Sequence, residues 1–431
     1  MTFHTTHRRP PRARRRALAG AATVLSTAVA IGAVAGPVAA VAAPRPPAAA
    51  ASATWAPAPA DRGHLLSVTP LATHDRAALS RLLAGAGLPG DTVRYGVTAY
   101  RLTYRTVTPQ GTPTTATGLF TLPRGGPHRL AVVSDTHGTL AYRHDAPSAA
   151  DGWARSAAYL YASGGRAVVS PDYLGLGGGP GTHPYMDTRS AVTASVDMLR
   201  AARTAAARLD RPLTGDVLAT GFSQGGQVAM ALGRALHQGA DRHFVLRALA
   251  PVSGPYDVSG TEVPALFDGR VQGYSGVFYT AYFLVAQNRL HPLYGSPSEA
   301  FRAPYDRVVE GLFDGEHEDE DVLRQLPGSV DELLTDRFTH RMRHPTGALR
   351  RAMAQADGTC DWRPDVPVRL YTASGDRDVP IGNSESCRDD LAAHDVRAVL
   401  ADAGDTDHFG AFLRSAPRVA RWFAAPARQR D

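Results

Sequence analysis

The chain has 431 residues, 44% of them hydrophobic and 20% charged, which suits a globular protein with a sizeable core and excludes an intrinsically disordered one. Its formal charge of +6 is concentrated at the amino end, where Arg8, Arg9, Arg12, Arg14, Arg15 and Arg16 precede any acidic residue. Without that segment the balance is close to neutral, which argues against a nucleic-acid partner. Apart from histidine, every basic residue is arginine, a sign of compositional bias and not of a binding device.

Residues 1–42 read as a signal peptide. The arginines give way to an Ala/Val/Leu run, and Ala40, Val41 and Ala42 supply the small residues of a cleavage site. Pro44 disfavours a cut directly before it, so cleavage is expected after Ala42. General export and the twin-arginine route, suggested by Arg14 and Arg15, both remain open. Alanine content and Pro37 make the run a poor membrane anchor, and no later segment could span a bilayer. Residues 43–64 read as an Ala/Pro-rich disordered spacer, and residues 65–431 as the folded domain.

Within the domain, residues 95–123 predict a hairpin: two Thr/Tyr/Val-rich runs flank the turn sequence TPQGT. Six short apolar runs follow, at 130–134, 166–170, 216–221, 244–252, 368–374 and 396–401. Continuous apolar runs of this length suit parallel strands covered on both faces. Helical patterns at 191–209 and 226–237 lie between them. The alternation predicts an α/β fold with a mostly parallel sheet. Residues 256–346 break it with aromatics, prolines and an acidic cluster. The stretch is too long for an ordinary connection, and a mostly helical cap insertion is expected. Its aromatic run, VFYTAYFLV, suits either a greasy substrate or plain core packing.

The sequence GFSQG (221–225) follows a predicted strand and opens a predicted helix. That is the setting of a nucleophile elbow, in which Ser223 is thrust out on a tight turn and the glycines avoid collisions with nearby backbone. A serine nucleophile needs a base, and the base needs an orienting acid. Among 16 histidines, His408 follows the last predicted strand and is the candidate base. Asp376, directly after the strand before it, is the candidate acid; Asp378, two residues on, remains the alternative. The oxyanion would be held by the amide of Gln224 and by that of Gly138 or Thr139, in SDTHGTL (134–140). His137 and Asp172 are expected to shape their loops. Cys360 and Cys387, the two cysteines, predict a disulfide bracketing the acid loop.

With these pieces in place, the chain resembles an α/β-hydrolase, and further the secretory lipase family of fungi and actinobacteria. The resemblance is carried by THGT, VVSPDYLGLG with the following HPY (183–185), GFSQGG, GDRDVPIGNS and DTDHFGAF. LFDGEHEDED in the insertion is also similar to that family's cap. The resemblance implies an α/β-hydrolase fold and makes Ser223, Asp376 and His408 nucleophile, acid and base. It implies hydrolysis of carboxylic esters, lipids among them, with no metal or organic cofactor. The second aspartate of the acid loop departs from the usual pattern and keeps Asp378 open. The expectation is therefore a secreted lipase or esterase acting on a small ester or lipid. A secreted peptidase of the same fold is the alternative, with residues 316–321 offered to a peptide terminus, and an inactive binding scaffold comes after it.

Overall fold

Alternating Thr, Tyr and Val on either side of TPQGT place two long strands side by side, β2 (Gly96–Val107) and β3 (Pro113–Arg124), in register from Gly96 opposite Arg124 to Val107 opposite Pro113. The computed structural model describes residues 61–425; the expected signal peptide and residues 43–60 of the spacer lie outside the described residues. Before the hairpin come β1 (Leu65–His74) and helix α1 (Arg76–Gly85). After it come β4 (Leu130–Thr136), α2 (Ser156–Ser163), β5 (Ala167–Pro171), α3 (Thr188–Arg208), β6 (Leu213–Phe222), α4 (Gln224–His237) and β7 (Val245–Val252).

A run of helices then interrupts the alternation. These are α5 (Val263–Asp268), α6 (Gly273–Leu290), α7 (Pro297–Ala300), α8 (Val309–Leu312), α9 (Asp319–Gln325), α10 (Val330–Leu333), α11 (Asp336–Arg343) and α12 (Gly347–Asp357). The chain then returns to the sheet as β8 (Arg369–Thr372), α13 (Gly382–Ala393), β9 (Val399–Asp402) and α14 (His408–Ala424).

Among the described residues one nine-stranded sheet forms, in the order β1-β2-β3-β5-β4-β6-β7-β8-β9. β1, β2 and β3 run antiparallel, and the contacts from β5 to β9 are parallel. The apolar runs form the parallel half because both of their faces are covered. One face packs against α3, α4 and α13 through Val196, Met230 and Leu391. The other packs against α1, α2 and α14 through Leu79, Leu160 and Phe412. The inserted helices hold a core of their own around Tyr282, Phe313, Phe338 and Met353.

β1 carries no clear alternation. Pro70 lies within it, and the pairing with β2 slips on both sides of Thr69, between Leu65 and Ser67 and between Pro70 and Ala72. It is the edge strand, where proline and bulges are tolerated.

Cys360 and Cys387 form a disulfide, both fully buried, with Cα atoms 5.2 Å apart. It joins the segment after α12 to α13, across the stretch that contains β8 and residue 376. Closing a loop of 27 residues stabilises the fold by about 3–4 kcal/mol on the chain-entropy view. The Cys360→Ser, Cys387→Ser double variant is therefore expected to lose about 3 kcal/mol in urea unfolding, and added reductant should then have no further effect. A loss below about 1 kcal/mol would contradict this role.

Candidate active site

Parallel strands send their following loops to the same sheet edge, so residues far apart in sequence meet there. β6 ends at Phe222, and the next residue, Ser223, has φ 57° and ψ −127°, a conformation that costs a non-glycine residue of order 1–3 kcal/mol. The surroundings hold it. Its amide donates to Val252 O at 2.9 Å and its carbonyl accepts from Gly226 N at 2.8 Å. A Cβ on Gly221 would run into Thr136 Oγ1 and Gly225 O, and a Cβ on Gly225 would run into Thr136 O. Thr136 closes the turn, its one O–H lying within reach of both Thr220 O and Gly225 O at 2.9 and 2.7 Å.

The loop after β4 packs directly on this turn. A Cβ at Gly138 would lie 3.3 Å from both Ser223 Cβ and Phe222 O. Among the described residues, neither Gly138 N–H nor Thr139 N–H donates to another protein group. Gln224 begins α4, where the first amides have no helical acceptor.

His137 shapes this loop. Its Nδ1 lies 2.7 Å from Gly138 O, its ring packs 4.3 Å from Tyr173, and burial pushes its pKa below the ordinary value. Asp172 accepts from Thr117 Oγ1, Ser148 N and Ser148 Oγ, and so ties three segments together.

The HPY stretch couples these parts to the inserted helices. His183 Nδ1 donates to Leu174 O at 3.0 Å, which leaves Nε2 to accept from the Gln224 side chain at 3.3 Å. Burial drives its pKa down to about 3, so the ring is neutral as this bonding requires. Tyr185 meets Thr139 Oγ1 at 3.0 Å and stacks on Tyr282 of α6 at 4.3 Å.

After β8 the chain turns, and Asp376 Oδ1 accepts the amides of Asp378 and Val379 at 3.0 and 2.9 Å. Its other oxygen lies 2.7 Å from His408 Nδ1. Both side chains are at most 4% exposed. His408 opens α14, where Asp407 caps the helix by accepting Gly410 N, and its ring packs 4.4 Å from Phe222. Among the described residues, buried His408 Nε2 has no hydrogen-bond partner, Ser223 Oγ included. Asp378 is turned elsewhere: its Oδ1 accepts from Ser275 Oγ of α6 at 2.8 Å. Burial raises its pKa, against the lowering influence of nearby His408 and of Ser275.

An apolar chamber opens beside Ser223 and Gln224, beneath the inserted helices. Val258, Val263, Leu266, Phe283, Met342 and Met353 contribute to its wall. The VFYTAYFLV run serves two ends. Tyr279, Thr280 and Phe283 line the chamber, while Val277, Ala281, Leu284 and Val285 are buried in the inserted core. The acidic cluster is largely engaged: Glu316 pairs with Arg143 at 2.8 Å, Asp319 accepts Ala141 N, and residues 319–321 open α9.

One chamber residue had no signal in the sequence. Glu262 accepts a bond from Asn383 Nδ2 at 2.6 Å, and burial raises its pKa to about 8. An isolated glutamate before Val-Pro carries no pattern that marks it.

No family model and no curated protein matches the sequence. Solved structures do. A Legionella pneumophila protein assigned to the hydrolases is 26% identical over 83% of this chain and 97% of its own, with a TM-score of 0.77. The rice cell wall degrading esterase LipA from Xanthomonas oryzae is 28% identical over 86% of this chain and 100% of its own, with a TM-score of 0.74. Candida antarctica lipase A, at 14% identity and a TM-score of 0.58 over 80% of this chain and 78% of its own, shares the fold. The chain is an α/β-hydrolase by fold and topology, and it resembles lipases and esterases.

Glu262 has a consequence for stability. Its folded pKa of about 8 lies above its unfolded value of about 4.5, so the folded state holds the proton over that interval and Glu262 destabilises the fold progressively as pH rises through it. Glu262→Gln should therefore gain melting temperature relative to the parent between about pH 5 and pH 8 and level off above that. A difference independent of pH would contradict an ionising Glu262.

Proposed function

We propose that the protein is a secreted serine carboxylic-ester hydrolase, working through an acyl-enzyme on Ser223 with His408 as base and Asp376 as its orienting acid. The single observation that carries this reading is the 2.7 Å contact between His408 Nδ1 and Asp376 Oδ2, with the His408 ring 4.4 Å from that of Phe222, the residue before the strained Ser223. Asp376 holds the proton on Nδ1 and leaves Nε2 with a lone pair. Among the described residues it has no protein partner, Ser223 Oγ included, and on this reading it takes the Ser223 hydroxyl proton once substrate is bound.

Ser223 Oγ then attacks the ester carbonyl, and the amides of Gln224 and of Gly138 or Thr139 receive the developing oxyanion. As the ester C–O bond breaks, His408 passes its proton to the departing alcohol. Water, deprotonated by His408, attacks the acyl-enzyme and releases the acid. The apolar chamber suits an acyl group of aliphatic character. The esterase name of the Xanthomonas oryzae relative supports ester hydrolysis over peptide hydrolysis. Within the acidic cluster, Glu316 is already paired with Arg143 and Asp319 with Ala141 N, which makes those two poorer holders of a peptide amine. Secretion is supported by the buried disulfide, a bond of oxidising compartments. No helix among the described residues is long and apolar enough to cross a membrane.

The test is hydrolysis of p-nitrophenyl esters of graded chain length. Ser223→Ala and His408→Ala should each lower kcat by about 10³-fold or more, and Asp376→Asn by a comparable factor. Asp378→Asn should stay within about tenfold of the parent. If Asp378→Asn is the more damaging of the two, the acid has been misassigned. A folded parent without ester activity would refute the reading.

A further inference from the structure

The chamber that takes in Ser223 is apolar over most of its wall, with Val258, Val263, Leu266, Val271 and Phe283 among its residues. Glu262 stands in the same wall. The acyl-transfer chemistry has no task for it, since base and acid are His408 and Asp376, joined at 2.7 Å. A carboxyl withdrawn from water destabilises the fold unless something pairs with it, so its place beside the reacting serine calls for a use.

The carboxyl is held firmly by one oxygen. Asn383, in the first turn of α13, donates from Nδ2 to Glu262 Oε1 at 2.6 Å. The asparagine is fully buried and cannot flip, because Nδ2 also donates to Pro380 O and Oδ1 accepts Asp257 N. The other oxygen, Oε2, has no hydrogen bond among the described residues. Glu262 nevertheless keeps part of its surface accessible, and its place in the wall turns that surface toward the chamber. Thr280 belongs to the same wall, and its Oγ1 is buried without a partner among the described residues. Buried polar groups are nearly always paired. An apolar chamber with unpaired polar atoms in its wall suits a ligand that is mostly apolar and polar at one point.

Charge narrows the choice of that point. A carboxylate would meet Glu262 and Asp378 in one wall. An ammonium would have to leave water for a mostly apolar space. A neutral group is left. A hydroxyl both donates and accepts, so it pairs with Glu262 whether or not the carboxyl holds its proton; a carbonyl, which only accepts, does not.

On the ester-hydrolase reading above, we propose that Glu262 is a specificity residue for the acyl group, and that the chamber takes aliphatic acyl chains carrying one hydroxyl, bound at Glu262 Oε2.

The experiment compares p-nitrophenyl dodecanoate with its monohydroxy derivatives, the hydroxyl placed in turn near the carbonyl, at mid-chain and at the far end. The parent, Glu262→Leu and Glu262→Gln are assayed. The readout is the ratio of kcat/KM on each hydroxy ester to that on the plain ester. A loss of folding or of general catalysis moves both alike and leaves the ratio in place. In the parent the ratio should peak at one position, and Glu262→Leu should lower it there about fivefold or more. Glu262→Gln keeps a hydrogen-bonding group and should stay within about threefold of the parent. A ratio that Glu262→Leu leaves unchanged at every position, or lowers equally at all of them, overturns the proposal. The parent alone also tests it, should Glu262→Leu not fold. A wholly apolar chamber would penalise a buried hydroxyl about tenfold or more, so a parent that disfavours the hydroxyl by that factor at every position overturns it too. A parent that hydrolyses the plain ester and gives either of these results loses the subsite alone, and one inactive on every ester loses the ester-hydrolase reading with it.

Discussion

The rest of the site depends on one backbone conformation. Ser223 is held at φ 57° by hydrogen bonds from two directions, and the glycines on either side make room for Thr136 and the neighbouring backbone. If that turn relaxed, the amide of Gln224 would swing away from Gly138 and Thr139, and the serine would no longer lie at the edge where β8 and β9 deliver Asp376 and His408. Strain of this kind persists only where surrounding structure over-determines it. Here the buried parallel strands do so, with β6 between β4 and β7 and covered on both faces.

A second constraint concerns the acid loop, which is gripped from two sides. The disulfide ties α13, which follows the loop, to the segment before β8. From the other side the inserted helices reach down: Ser275 Oγ donates to Asp378, Gln272 N donates to Arg377 O, and Arg377 Nη2 donates to Gly269 O. The second aspartate thereby has a use of its own, docking the inserted helices onto the loop that presents Asp376. Two acids two residues apart can point to different partners because Asp376 turns back to accept the amides of residues 378 and 379.

Legibility in the sequence followed the strength of local physics. The central strands were readable because burial on both faces demands unbroken apolar runs, and the hairpin because TPQGT sits between alternating residues. β1 was not, since Pro70 and two slips in register erase its period. The serine, acid and histidine positions could be listed in order from strand ends alone. The choice between Asp376 and Asp378 could not be made there, because it turns on which carboxylate faces His408, a matter of loop geometry. Glu262 and the pairing of Trp153 with Phe409 were illegible for a related reason. Single residues brought together across long separations, here 153 with 409, leave no periodic trace.

The two sides of the site differ in kind. Beside Ser223 lies an apolar chamber that two carboxyls, Glu262 and Asp378, also line, and next to His408 lies Phe409, whose exposed ring meets that of Trp153. Both acquire meaning only if Ser223 is the atom that reacts. The most direct test is to treat the full chain with an alkyl fluorophosphonate and locate the adduct by peptide mass mapping, since Oγ–P bond formation with loss of fluoride requires an activated serine. The account predicts one phosphonyl group on Ser223, slowed at least 100-fold in His408→Ala. A folded protein that takes up no label, or takes it up at another residue, would contradict it.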